Sequence, residues 1–187
     1  MSESTDLTSR QYHAIIAKCR ALFLDKTRDY GTAWRILRLP SLTDQIYIKA
    51  NRIRSIQQKG KQLIEDGIAG EFVAIVNYCI MANIQASLPQ SAPIELGLEK
   101  ALPLYDAQVK ITADLQLNKN HDYGEAWRQM RVSSMTDIIL MKLLRIKQIE
   151  DNAGHTLVSE GVDANYRDIM NYSIFCLIQM GESGIDQ

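Results

Sequence analysis

Apolar residues recur along this chain at spacings of three and four, the period of one face of a helix. Tyr12, Ile15, Ile16, Cys19, Leu22 and Phe23 follow that period. With Thr8 or Ser9 as cap, they predict a first helix ending at about Lys26. Asp29-Tyr30-Gly31 interrupts the pattern, and glycine tolerates positive φ, so a break between helices is expected there. A short helical turn over 32–38 holds Trp34. Pro40 and Ser41 open the next helix, with the stripe Ile46, Ala50, Ile53 and Ile56 and an end at Gly60. Ser41-x-x-Asp44 reads as a relative of the capping box, with Asp in place of Glu. A further helix runs from Ile68 to Ser87 through Phe72, Ile75, Val76, Tyr78 and Cys79. No stretch alternates as a strand would.

The whole plan then repeats. Lys26-Thr27-Arg28-Asp29-Tyr30-Gly31-Thr32-Ala33-Trp34-Arg35 returns as Lys119-Asn120-His121-Asp122-Tyr123-Gly124-Glu125-Ala126-Trp127-Arg128, at an offset of 93 residues. Over positions 26–56, 16 of 31 residues are identical at that offset. The second copy predicts a helix ending near Lys119, a capped helix over 135–151 beginning at Ser134-x-x-Asp137, and a last helix over 162–180. At Gly67/Gly161 and Asn77-Tyr78/Asn171-Tyr172 the offset becomes 94, so one residue is inserted in the preceding loop, where insertions are tolerated. Ser87 to Pro93 has the composition of a linker. The expected fold is all-α: a tandem-repeat helical bundle of about four helices per unit, related by an approximate two-fold axis. The first unit is 1–87, the linker 88–98 and the second unit 99–187. Units of this size bury only a modest core, so the halves should pack on each other.

The identities extend to charged residues: Lys26/Lys119, Asp29/Asp122, Arg35/Arg128, Arg38/Arg131, Asp44/Asp137, Lys49/Lys142 and Arg52/Arg145. Packing alone requires an apolar pattern, so repeated charges point to two copies of a polar site, or to what such a site has become. Lys26, Asp29, Tyr30 and Gly31, with their twins, set a cation and a carboxylate at one helix end. They make either a phosphate and metal or water site or a turn in which Asp caps and the aromatics pack. Lys49 and Arg52, and Lys142 and Arg145, share a helix face and make either a phosphate clamp or an ion-paired surface. Arg35, Arg38 and their twins suit phosphate contacts and salt bridges between units equally. The late helices offer Glu65, Asp66, Glu71 and Asn77 in one unit and Glu160, Asp163, Asp168 and Asn171 in the other. Carboxylates at helical spacing suit Mg²⁺, and they equally suit a solvated helix start. The Trp and Tyr pairs read as core packing or as base-stacking platforms.

A net charge of −1 gives no footprint for nucleic-acid binding, so no nucleic-acid partner is expected. Cys19, Cys79 and Cys176 lie far apart without metal spacing and read as buried hydrophobes of a cytoplasmic protein. No apolar run reaches the length of a membrane span, so no membrane partner is expected either. His13, His121 and His155 do not repeat, and neither a Gly-rich phosphate loop nor a nucleophile triad is present.

The run Lys-x-x-Asp-Tyr-Gly-x-x-Trp, followed by Lys-x-x-Arg-Ile and by a helix carrying Asn-Tyr, resembles the nucleotide modification associated domain. That domain looks like a branch of the MazG-like all-α nucleotide pyrophosphohydrolases. The resemblance implies a Mg²⁺-dependent enzyme that releases pyrophosphate from a (deoxy)nucleoside triphosphate or a modified nucleotide. Under that hypothesis the candidate catalytic residues are Asp29, Asp122, Glu160 and Asp168, and the candidate metal ligands Glu71, Glu160, Asp163 and Asp168. The candidate nucleotide contacts are Lys26, Lys119, Lys49, Arg52, Lys142, Arg145, Asn77 and Asn171. Such proteins pair their units, so a tandem repeat mimics a dimer in one chain, and a homodimer of the chain is compatible with it. The chain departs from the family's metal pattern. Lys49-x-x-Arg52 and Lys142-x-x-Arg145 stand where Glu-x-x-Glu belongs, and only the second unit has Glu160-x-x-Asp163. The alternative is therefore a non-catalytic nucleotide-binding or assembly module with a degenerate metal site.

Overall fold

The computed structural model describes residues 3–59, 67–156 and 160–185, with all side chains except those of 3–5 and 117–123. Six α-helices and two short 3-10 helices follow one another: α1 (Glu3–Tyr30), a 3-10 helix (Ala33–Ile36), α2 (Leu39–Lys59), α3 (Ile68–Ser87), α4 (Leu98–Tyr123), a second 3-10 helix (Ala126–Gln129), α5 (Val132–Asp151) and α6 (Val162–Gln179). Each unit thus has three long helices and one short one, and no strand occurs among the described residues.

α1, α4 and α5 are longer than the sequence pattern predicts, whereas α3 has the expected bounds and α6 ends one residue short of them. α1 continues past Lys26 because the Thr27 hydroxyl donates to the Phe23 carbonyl at 2.7 Å and the Gly31 N–H donates to the Thr27 carbonyl at 2.9 Å. It stops at Gly31, whose φ of +59° few side chains tolerate; Gly124 ends α4 in the same way at +63°. α2 and α5 begin at Leu39 and Val132, ahead of the expected caps. The capping-box reading is therefore corrected. Ser41 already sits in the first turn, its N–H bonded to the Arg38 carbonyl, and the cap of α5 is Arg131, without a side-chain bond.

α3 and α6 lie against each other at the centre, with α2 packed on α3, α5 on α6, and α2 on α5. α1 and α4 cover the other side of the central pair. One hydrophobic core runs through both units, joining Ile46, Ile53, Phe72 and Ile80 to Met135, Ile139, Leu143 and Ile174. Burying each such side chain contributes about 1.5–3 kcal/mol, so neither unit's core is complete alone. α3 corrects one further expectation: by length and composition it is apolar enough to cross a membrane, yet 61% of its most apolar window is buried inside the protein.

Paired contacts reveal the two-fold relation. α2 and α5 run antiparallel, because Thr43 donates to Glu150 at 2.7 Å at one end and Gln57 donates to Thr136 at 3.1 Å at the other. Asp44 pairs with Lys147 at 2.5 Å, and Asp137 with Arg54 at 3.7 Å. A second set crosses the core. The Tyr12 hydroxyl of α1 donates to Asn171 Oδ1 of α6 at 2.8 Å, and the Tyr105 hydroxyl of α4 donates to Asn77 Oδ1 of α3 at 2.8 Å. Each unit's tyrosine thus completes the other unit's asparagine.

Candidate functional site

Each unit has a pocket at the same place, where its first helix ends, its 3-10 helix begins and its last helix passes. The pocket of the second unit is a cavity of about 380 Å³ lined by Gln116, Gly124, Ala126, Trp127, Met130, Lys142, Asp168, Asn171, Tyr172 and Phe175. That of the first unit, about 180 Å³, is lined by Phe23, Lys26, Thr27, Tyr30, Gly31, Ala33, Trp34, Tyr78 and Met81. Gly31/Gly124, Ala33/Ala126, Trp34/Trp127 and Tyr78/Tyr172 are repeat-equivalent, so the duplicated segment does line a duplicated cavity.

The wall of the second pocket is both aromatic and charged. Trp127 and Phe175 stack with centroids 4.3 Å apart, and the Arg128 guanidinium lies 4.4 Å over the Trp127 ring. Lys142 Nζ stands 2.6 Å from Asp168 Oδ2, with side chains only 12% and 17% exposed. Such a half-buried ion pair keeps both charges in place where either alone would be costly. The first pocket lacks this pair. There Lys49 and Arg52 both bind Glu71, in the first turn of α3 and off the pocket wall, and Lys49 Nζ also lies 5.8 Å over the Tyr78 ring.

The backbone of each pocket is held by a glutamine that sequence reasoning missed. Gln179 Nε2 donates to the carbonyls of Trp127, Arg128 and Met130, and Gln85 Nε2 to those of Arg35 and Leu37. The two repeat at the offset of 94 and could have been found from that alone. Tyr12 and Tyr105, at the offset of 93, were missed in the same way. Arg35 holds the loop between the units, bonding Gln85 and the carbonyls of Ala92 and Pro93, whereas Arg128 bonds Thr8 and Gln11 of α1 and Glu125 beside it.

The remaining expected site residues scatter. Asp29 is exposed and lines neither pocket, so its placement beside the cavity does not follow from its motif. Lys119 and Asp122 lie outside the described side chains, and Glu65 and Asp66 outside the described residues. Arg145 is exposed, unlike its neighbour Lys142. Asn77 is committed to the core, donating to the Cys19 carbonyl at 3.0 Å while accepting from Tyr105, which corrects its reading as a nucleotide contact. Asn171 serves the same lock but also lines the second pocket. Among the metal candidates, Asp163 pairs with Arg167 at 2.5 Å; burial raises its carboxyl, but Arg167 together with the backbone N–H groups of Asp163 and Ala164 holds it below the usual range. Glu160 is exposed, and Glu71 belongs to the other unit. Among the described residues, no three carboxylate, histidine or cysteine groups converge. The described donors therefore do not fit a Mg²⁺ site: Asp168 is the single carboxylate among the residues lining either pocket, and its partner is a lysine.

The thiols offer no chemistry. All three are free and buried, and burial pushes Cys19 up to about 12.

No curated protein and no solved structure is detectably similar to the chain. The family described as Nucleotide modification associated domain 1 matches residues 26–86 and again 119–180. Both matches open at the lysine before Asp-Tyr-Gly and run to the end of the helix that carries Asn-Tyr, taking in the 3-10 helix and glutamine that build each pocket. Covering more than half of the sequence, they show that the chain belongs to that family, as two tandem copies fused into one bundle.

Proposed function

We propose that the protein binds a nucleotide in the pocket of the second unit. One observation carries this reading: a cavity of about 380 Å³ joins an aromatic wall to a half-buried lysine–aspartate pair. Half-buried Tyr172, beside the stacked Trp127–Phe175 pair, offers apolar surface to a base, and Lys142 offers an ammonium to a phosphate. Asp168 holds that ammonium in position before the ligand arrives. The family's description supports a nucleotide as the ligand class. A cytoplasmic setting belongs to the same proposal and is supported by three buried, unpaired thiols.

Melting temperature against nucleoside mono-, di- and triphosphates tests the reading. A ligand at a hundred times its dissociation constant stabilises by about 2.7 kcal/mol, which a thermal melt resolves. A shift for at least one nucleotide, lost in Lys142→Ala, is expected. No shift with any nucleotide overturns the reading.

Mg²⁺-dependent pyrophosphate release is the catalytic form of the proposal, and the carboxylate of Asp168 on the pocket wall favours it. The described carboxylates do not fit a Mg²⁺ site, and one carboxylate already paired with a lysine leaves a metal ion too few ligands. Binding without turnover is the form the geometry supports best. Pyrophosphate appearing from a triphosphate panel with Mg²⁺, and vanishing in Asp168→Asn, would reverse that order.

A further inference from the structure

The pocket of the first unit has no role in the function proposed above, yet it is made from the same pieces. Phe23, Tyr30, Trp34 and Tyr78 surround it, and Lys26 stands at its edge. Three features distinguish it from a packing gap. Tyr30 is 72% exposed, a large ring kept in water at the rim of an aromatic cavity. Lys26 is exposed and makes no ion pair among the described residues. The indole N–H of Trp34 is buried without an acceptor, and so is that of Trp127 in the other pocket. A buried donor without a partner is costly, and this one recurs at the same point of both cavities. A planar ligand that carries acceptors and an anionic tail suits all three features: rings for its face, an N–H for an acceptor, an ammonium for the tail.

Among the described side chains the two walls differ by one charge. Asp168 aligns with Ala74, so the first pocket, lined by Lys26 where the second has Lys142, lacks the carboxylate of the second. A carboxylate close to a phosphate opposes it more strongly as the phosphate's charge grows. Resting on the nucleotide-binding reading, we propose that the first unit's pocket is a second nucleotide site, and that it favours the more highly phosphorylated ligand because none of the residues lining it is a carboxylate, Glu95 beside Gly31 being taken up by the N–H groups of Thr32 and Gly97.

The chain supplies its own reporters, since it has two tryptophans and each lines one pocket. Trp127→Phe leaves Trp34 to report on the first pocket, and Trp34→Phe leaves Trp127 to report on the second. Each variant is titrated with the mono-, di- and triphosphates of the four deoxynucleosides while tryptophan emission is followed. Both signals are expected to saturate. From mono- to triphosphate the Trp34 dissociation constant should fall about tenfold and the Trp127 constant about threefold or less, the difference reflecting one nearby charge. In the Trp127→Phe background, Lys26→Ala or Ala74→Asp should flatten the phosphate dependence of the Trp34 signal. Ala74→Asp alters a half-buried position and leaves every aromatic side chain in place, so it guards against loss of folding. A Trp34 signal that stays flat while Trp127 saturates overturns this proposal and leaves the second-unit reading standing. The reverse pattern supports the proposal and overturns that reading. Two flat signals overturn both. Two signals with the same phosphate dependence overturn the assignment of charge preference.

Discussion

In the first unit Glu71 stands in the first turn of α3 and gathers both Arg52 and Lys49. In the second unit the aligned residue is Asn165, and the carboxylate is Asp168, one turn further along the helix, gathering Lys142. The cations are the same, the helices are the same and each carboxylate is ion-paired. The single turn decides where the pair stands: Glu71 holds it outside the first pocket, and Asp168 holds it on the wall of the second. A repeat can therefore keep its charges and still change its site, because one helical turn leaves a side chain on the same face and moves it about 5 Å along the axis.

The largest effect should come from the feature on which the two units agree. Asn77→Leu and Asn171→Leu each leave a buried tyrosine hydroxyl without its acceptor, and Asn77→Leu also frees the Cys19 carbonyl. Each should cost about 2–4 kcal/mol, read from the urea midpoint at constant slope. A loss in one and not the other would break the symmetry of the core. Next come the carboxylates on which the units differ. Glu71→Gln and Asp168→Asn should each lose about 1–2 kcal/mol, since each removes a carboxylate charge from beside half-buried cations. Moving the carboxylate instead, with Glu71→Asn and Ala74→Asp together, should keep stability within about 1 kcal/mol of the starting chain while bringing an ion pair to the first pocket. A double variant as unstable as Glu71→Gln alone would show that Lys49 cannot follow the acid along the helix.

The smallest effect concerns Glu150, which meets Thr43 at 2.7 Å and Tyr166 at 3.4 Å between the units. Its twin is the neutral Gln57. Burial raises the Glu150 carboxyl above its ordinary range, and the hydrogen bonds from Thr43 and Tyr166 only partly offset this. The folded state therefore holds this proton more tightly than the unfolded one. The resulting stability is complete below the ordinary glutamate range and is lost as pH rises through the folded value. Glu150→Gln should copy the other unit and remove that slope, with melting temperature against pH as the measure. An unchanged profile would mean that Glu150 does not titrate in this range.

Fold and site were not equally legible in the sequence. The duplication exposed the architecture, because helix periodicity and the Gly31/Gly124 breaks are local and appear twice. The pockets were half visible: Trp34/Trp127 and Gly31/Gly124 line them, as a site built on the repeat should, whereas Asp29 faces solvent. Asp44 and Asp137 were misread as caps because their partners, Lys147 and Arg54, lie on a helix that the chain reaches only about 80 to 100 residues away. Tyr12 reads only as an apolar position of the first helix, because nothing near it in sequence marks a bond to Asn171, 159 positions on. Spacing tells which residues share a face; it does not tell what that face meets.

The crossed tyrosine–asparagine bonds also bear on how the two pockets came to differ. In a symmetric pair of identical chains, any substitution appears in both subunits at once, so a change useful in one pocket is imposed on the other. Here the partners are joined by residues 88–97 and each lock is made between different codons. The mutual dependence of the halves survives, while position 74 remains alanine and position 168 carries aspartate. Covalent fusion has released the pockets from identity without releasing the halves from each other.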